Sequence, residues 1–409
     1  MNEKNETIRS NSVETSITPD QVTISRRGTA RRKKKKQSKA KAMTFMILRR
    51  TGLSLLTLVL VLLIGLSLIL NLIFNGPSAA AREMLTMSLL EASATKWVPQ
   101  LFIGKDAVDA IRYEGSDFPE LDVLFGNNNT PSVNPGGTAT DPNGEWKNYP
   151  DGVYIEDVKG NTYNAYVMVI RDPSQVYMAT SSLPFSKDKP GQRINEAIKQ
   201  EGAIAAINAG AFFDDGSASA QVGSVPQGLV IAGGEVVWNA GWTPENGFAG
   251  FNEDNVLVVD HSMTAKRAQE LKIRDGCCFG PALIINGQEN LEAYNSASGL
   301  NPRTAIGQRA DGAVLFVCID GRQAGSLGGT YADLIDIMLE YGAVNACNLD
   351  GGSSTVMLYE DQYGRYDGDT DRQRFGDNNE YIMINNYSLL QEAPRRMPNF
   401  FMVRPAEEE

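Results

Sequence analysis

One histidine and four cysteines are all the imidazole and thiol that 409 residues contain. A Ser-His-Asp triad would have to be built on His261, which sits in VVDHSMTAKR, away from every Gly-rich or Asp-Gly motif and at the end of an apolar run. Cys277, Cys278, Cys318 and Cys347 are too few for a disulfide scaffold and show no C-x-x-C spacing. Cys318 and Cys347 each fall in an apolar run and read as buried thiols. Carboxylates such as Asp320, Asp350 or the Asp214-Asp215 pair have no His or Cys to join them, so neither a metal nor another cofactor is expected. The run DGDTDRQRFGDNNE opens like a calcium loop at Asp367, Asp369 and Asp371. It then places Arg372 where the turn wants Gly and Asn378 where a bidentate Glu belongs, so it reads as a solvated loop.

Acidic residues are scarce at the start of the chain and abundant afterwards. Residues 1–50 hold 14 Lys+Arg against 4 Asp+Glu, and the remainder holds 24 against 45. A basic tail and an acidic body are not one folded unit. The tail, with its block RRKKKKQSKAK, lacks an apolar period and reads as disordered and cytoplasmic. Nucleic acid is the weaker reading of its charge, because the tail runs straight into an apolar segment. Long apolar runs are otherwise missing, yet from Leu53 to Phe74 no charged residue occurs across 22 positions. At about 1.5 Å per residue this spans a hydrocarbon core of roughly 30 Å. The Lys/Arg excess ending in Arg49-Arg50 sets the N-terminus inside and the rest outside. The expectation is a single-pass protein of the cell membrane with an uncleaved signal-anchor, its C-terminal domain extracellular. A cleaved signal peptide, with PSAAA at residues 77–81 as the processing site, is the competing reading, but the apolar stretch exceeds the usual h-region.

The expected organisation is then a tail over 1–50, a transmembrane helix over 51–74, a juxtamembrane helical stalk over 75–113 and a linker over 114–150, rich in Gly, Asn and Pro. A domain occupies 151–405. Short strands bounded by turn residues dominate that domain. Two helices stand out, Gln192–Gly202 and Thr330–Tyr341, the second with Thr330 and Asp333 spaced as a capping pair. The fold class is α+β or mixed α/β: a sheet-rich domain with few helices behind one membrane helix. Trp238, Trp242 and Phe251 could stack on a sugar, though core packing is the default for such residues.

The stretch from Ala313 to Tyr359 reads as strand, Gly-rich turn, helix, strand, turn and strand. Such a unit makes its outer strands parallel neighbours, or near neighbours, with their C-terminal ends on one edge. Asp320 ends the first and Asp350 the second, and each precedes a Gly that lets the backbone turn sharply and approach a ligand. Arg322 and the hydroxyls of Ser353, Ser354 and Thr355 should converge on the same cleft. Asp-Gly is also a common turn pair, so either one alone could be only a turn.

CNLDGGSSTVML resembles the signature of the phosphodiester glycosidase family. This family includes the N-acetylglucosamine-1-phosphodiester α-N-acetylglucosaminidases and bacterial exopolysaccharide-associated proteins. AAINAGAFFDDG is similar to its early element, through Asn208, Gly210, Phe212 and Phe213, with Ala209 and Ala211 where a further Gly is often found. GPALIINGQ, NPRTAIGQRADG (with Arg303 and Thr304), LFVCIDGRQAGSLGGT and PRRMPNFFMV also resemble the family, in order, over roughly residues 151–405. The resemblance implies a hydrolase of the cell envelope that cuts glycosyl phosphodiesters in surface polysaccharide or wall polymer. The alternatives are a transferase on the same polymers and a non-catalytic glycan-binding protein. A phosphate monoester leaves readily, so the chemistry needs charge stabilisation, from Arg303 and Arg322, more than a strong general acid. Either arginine could instead be held in a structural ion pair. Asp350, then Asp320, are the candidates for nucleophile or base. Asn208 could hold a sugar hydroxyl or fix a loop. Thr304, Gly351, Gly352, Ser353 and Ser354 complete the expected substrate-binding set.

Overall fold

The computed structural model describes residues 19–90, 95–113, 133, 146–213, 223–240, 247–386 and 393–406. The expected linker over 114–150, Asp214, Asp215 and Trp242 lie wholly or mostly outside these residues. Two compact units are formed, Met1–Asn71 and Leu72–Glu409.

The first unit is carried by one long helix, α1 (Pro19–Asn75). Within it Met43–Asn75 is long and apolar enough to cross a membrane, a test that a signal sequence also passes. The helix starts well before the apolar run, across residues whose composition predicts disorder. Pro19 suits the first helical position, and the Ala, Lys, Arg and Gln after it are good helix formers.

The second unit is sheet-rich. It begins with α2 (Ala79–Leu90) and α3 (Val98–Tyr113) and holds the short helices α4 (Ile194–Glu201), α5 (Ala265–Glu270), α6 (Leu291–Asn295) and α7 (Tyr331–Glu340). The largest sheet runs Val153–Lys159, Asn164–Ile170, Val314–Ile319, Arg303–Arg309, Ala343–Leu349, Ala282–Ile285, Gln288–Glu289. Every pairing in it is antiparallel. The strands ending at Asp320 and Asp350 are therefore parallel to each other but not paired, because Arg303–Arg309 lies between them. The expectation of near neighbours with a shared edge holds.

A six-stranded sheet contains Ala205–Asn208, Asn399–Val403 and Met357–Glu360, and a five-stranded one contains Phe248–Asn252 and Ile273–Cys278. One apolar core is shared by all three sheets, with Met168, Phe316, Ile207, Phe401, Phe251 and Cys277 among its members. A second layer covers the back of the large sheet, where Leu334, Ile335 and Met338 of α7 meet Val167, Leu315 and Val317. Buried on both faces, Val314–Ile319 can be a continuous apolar run. The Thr330–Asp333 capping box is formed, and α7 runs from Tyr331 to Glu340. α4 starts two residues later than periodicity implies, because Gln192–Arg193 pair as a strand with Arg396–Met397. All four cysteines are free and buried. Phe251 is core, edge-on to Phe401, and Trp238 packs edge-on against Phe185.

Candidate active site

Three strand ends of the large sheet meet at one edge. Antiparallel pairing sets Arg303 opposite Ile319 and Thr304 opposite Leu349, so Arg303, Asp320 and Asp350 are brought to that edge together. With strands about 4.8 Å apart, the backbones of the two aspartates lie roughly 10 Å apart across the intervening strand. Pro302 is wedged between the two Asp-Gly turns. A Cβ on Gly321 would lie 2.6 Å from the Pro302 nitrogen, and one on Gly351 would lie 2.7 Å from its carbonyl oxygen. The closeness expected to serve a ligand is thus, at these two glycines, contact with Pro302. Gly352, at φ +61°, donates its N–H to the same carbonyl.

Asn208 ends its strand fully buried and joins the six-stranded sheet to this edge. Its amide donates to the Asp350 carbonyl, and its Oδ1 accepts from the Thr304 hydroxyl (2.8 Å) and the Val356 N–H (3.1 Å). The Asp350 N–H donates to Ala209 O. Gly210 cannot carry a side chain because a Cβ would meet Cys277 at 2.9 Å. Phe212 is buried, whereas Phe213 is exposed beside Lys187.

The two predicted arginines have different surroundings. Arg303 is buried, donating to the carbonyls of Ser298, Gly299 and Gly329 with its guanidinium 4.3 Å from the Tyr331 ring centroid. Arg322 is exposed. Its backbone is left-handed (φ +58°), and its guanidinium lies against Gly352 and donates to Asn301 Oδ1. A third arginine was not singled out in the sequence: Arg395 donates to Ser353 Oγ (3.2 Å) and lies 4.6 Å from the Phe212 ring centroid. The Gly352–Ser354 turn is thus flanked by Arg322 and Arg395.

Asp320 is 1% exposed. Burial pushes its pKa up to about 6, an effect opposed by the hydrogen bond from Tyr166 (3.0 Å) and by nearby Asn386 and Asn385. Tyr166 in turn accepts from Asn386 Nδ2, and the Ser326 hydroxyl donates to the Asp320 carbonyl. Among the described residues, Asn301 Nδ2, Asn348 Oδ1, Ser354 Oγ, Thr355 Oγ1 and Asn399 Nδ2 are buried without a hydrogen-bond partner. Unpaired buried polar atoms are costly and rare, and this set gathers around one edge. Tyr166, Asn301, Asn348, Asn385, Asn386 and Asn399 were missed as site residues. Asn301, Asn348 and Asn399 do lie inside quoted motifs.

His261 comes just after the strand Leu257–Asp260, and burial lowers its pKa. Arg372 of the acidic loop is turned inward, paired with Asp157 and stacked on Tyr166 and Tyr366. No group of ligating side chains suited to a metal occurs among the described residues.

Comparison with known proteins gives a family. The Phosphodiester glycosidase family model matches residues 201–404. A protein of Bacillus subtilis (strain 168), the SPbeta prophage-derived uncharacterized protein YomE, is 27% identical over 199 residues. That match covers 47% of this chain but only 28% of the relative's length. The zebrafish N-acetylglucosamine-1-phosphodiester alpha-N-acetylglucosaminidase catalytic domain, auto-inhibited by its pro-peptide, is 18% identical with a TM-score of 0.46, over 62% of this chain and 82% of its own. A hypothetical protein from Synechocystis is 15% identical with a TM-score of 0.44, over 62% of each chain.

Proposed function

Because the domain over residues 201–404 belongs to the phosphodiester glycosidase family, we propose that this chain is a membrane-anchored hydrolase. It cuts the bond between a sugar's anomeric carbon and a phosphodiester oxygen in surface polysaccharide or wall polymer, on the outer side of the cell membrane. The observation that carries this reading is the sheet edge itself. Two aspartates and the arginine-flanked Gly352–Ser354 turn share it with buried polar atoms that nothing among the described residues satisfies.

In this reading Asp350, partly exposed at the strand end, acts on the sugar side as nucleophile or as base for water. The C1–O bond breaks, its electron pair leaves with the phosphate monoester, and water supplies the new anomeric hydroxyl. Arg322, joined by Arg395, meets the charge that grows on the departing phosphate. Asp320 stands close enough to neutrality, at about 6, to hold or release a proton. Asn208, Thr304 and Arg303 hold the edge in register.

The test is hydrolysis of sugar 1-phosphodiesters, beginning with those of glucose and N-acetylglucosamine. Asp350→Asn should fold normally and lose roughly 10²–10⁴-fold in turnover. Near-normal turnover by a well-folded Asp350→Asn protein would remove Asp350 from the mechanism.

A further inference from the structure

The Gly352–Ser354 turn continues into a second patch of surface. Arg395, which donates to Ser353 Oγ, lies against the ring of Phe212, and the next residue along the chain is Phe213. Phe212 pairs with Pro226 as an isolated bridge, and its ring is buried with Phe400 and Met402. Extended backbone turns successive side chains to opposite faces, so Phe213 is delivered to solvent. It is 45% exposed, with the Lys187 ammonium 5.1 Å from its ring centroid. Two pairs, each a cation on a phenylalanine, thus come from neighbouring residues, and the first of them touches the site.

Both pairs are fixed by one short segment. The Ser181 N–H donates to the Pro398 carbonyl, and Arg396 donates to the Gly191 carbonyl. The loop carrying Lys187 is therefore tied at both ends to the residues that follow Arg395. Inside the loop, the Lys189 N–H donates to Ser186 O and the Asp188 N–H to Ser186 Oγ. The Phe213 N–H donates to Val225 O, while Ala211 donates to Cys278 O and accepts from the Gln227 N–H. A lone exposed phenylalanine is ordinary on a protein surface. One anchored this firmly beside an arginine-flanked turn is a platform formed before any ligand arrives.

Charge favours the same place. Residues 51–409 hold 24 Lys+Arg against 45 Asp+Glu, so most of this surface repels a polyanion. The loop 181–193 and the segment 394–398 reverse that balance, with Lys187, Lys189, Arg193, Arg395 and Arg396 against Asp188 alone. Glu196 of α4 pairs with Arg193 and Arg396 and leaves the other three cations outweighing Asp188.

We propose that Phe213 and Lys187 form a subsite for the part of the substrate that leaves with the phosphate, and that this part is a sugar carrying a further phosphate. The substrate is then an oligomer of glycosyl phosphates, cut at a unit that another unit follows. This rests on the proposed glycosidase activity and adds the class of its leaving group. Arg322 and Arg395 take the phosphate at the bond being cut. The C–H face of the next sugar lies on Phe213, and Lys187 meets the anion beyond it.

The test uses the full chain and the sugar, glucose or N-acetylglucosamine, whose methyl 1-phosphodiester it hydrolyses. Three further diesters of that sugar replace methyl by hexyl, by a methyl hexoside joined at its primary oxygen, or by the same hexoside bearing a second phosphodiester. Each kcat/KM is divided by that of the methyl ester on the same protein. The native chain should gain about fivefold from the hexoside and about fivefold more from the second phosphate, as expected of one aromatic contact and one exposed ion pair. Phe213→Ala should abolish the first gain. Lys187→Ala, or about 0.5 M sodium chloride with the native chain, should abolish the second. Equal values for all the diesters, a hexyl gain matching that of the hexoside, or gains that survive both substitutions would overturn the subsite and leave the glycosidase reading standing. Failure to hydrolyse any of the diesters would remove both.

Discussion

Around Asn208 and Thr304, side-chain groups hold one another and the backbone: an amide, a hydroxyl, a carbonyl and an N–H close a small network between two sheets. A few residues away, Ser354 Oγ, Thr355 Oγ1 and Asn301 Nδ2 are just as buried and have no partner among the described residues. Both halves belong to one sheet edge, and both are polar in a setting where an unsatisfied group costs about 1–3 kcal/mol. The satisfied half is what a fold needs to hold a shape. The unsatisfied half costs stability and gains nothing internally, which is why the proposed function places the substrate there. Arg303 and Arg322 repeat the contrast, one enclosed by carbonyls and a tyrosine ring, the other exposed on a left-handed backbone.

Substitutions that separate stability from activity sharpen this comparison. The largest effect on folding is expected at Arg303, because Arg303→Ala strands the buried carbonyls of Ser298 and Gly299 and leaves that of Gly329 with the Asn301 N–H alone. A loss of about 3–5 kcal/mol should appear in denaturant unfolding. A loss below about 1 kcal/mol would mean the enclosed half is not structural.

Asp320→Asn comes next, and its sign depends on pH. The folded pKa of about 6 lies above the ordinary 3.8, so ionising Asp320 costs the folded state increasingly as pH rises through 6. The Asn variant should therefore be more stable than the parent at pH 8, by about 2–3 kcal/mol, and should lose that advantage towards pH 4. Denaturation midpoints at the two pH values decide it, and a pH-independent difference would count against a buried, reluctant carboxylate.

The smallest shift is expected at Arg322. Glycine is at ease at φ +58°, so Arg322→Gly should leave stability unchanged or raise it by up to about 1 kcal/mol. Turnover of a phosphodiester should still fall roughly tenfold or more, the worth of one charge-assisted hydrogen bond. Unchanged turnover would move phosphate recognition to Arg395.

Much of the scaffold was legible. Val314–Ile319 and Ala343–Leu349 announce themselves as apolar runs closed by Asp-Gly, and α7 by its capping pair. The strand between them, RTAIGQR, was read only as a motif. Its buried Thr304, Gly307 and Gln308 break the apolar pattern, and Gln308 is tolerated because it accepts from the Leu257 N–H and donates to the carbonyls of Asn255 and Gly312. Hidden with that strand was the wedge at Pro302 that sets the spacing of the two aspartates. The asparagines of the site were illegible for a related reason. A single Asn, whether in a strand like Asn348 and Asn399 or at a bend like Asn385, has no periodicity, and whether its amide is spent or left over is decided by chain segments far away in sequence. The run DGDTDRQRFGDNNE is a largely exposed loop, as expected, but composition does not reveal that its Arg372 turns inward to Tyr166 and Asp157.

In the proposed reaction this edge breaks a bond at a sugar carbon and not at phosphorus. Hydrolysis of a sugar 1-phosphodiester in ¹⁸O-labelled water, followed by mass analysis of both products, tests it most directly. The label is expected in the anomeric hydroxyl of the released sugar and not in the phosphate monoester. Label in the phosphate would show attack at phosphorus, and the roles given to Asp350 and to the arginines around Gly352 would have to be abandoned.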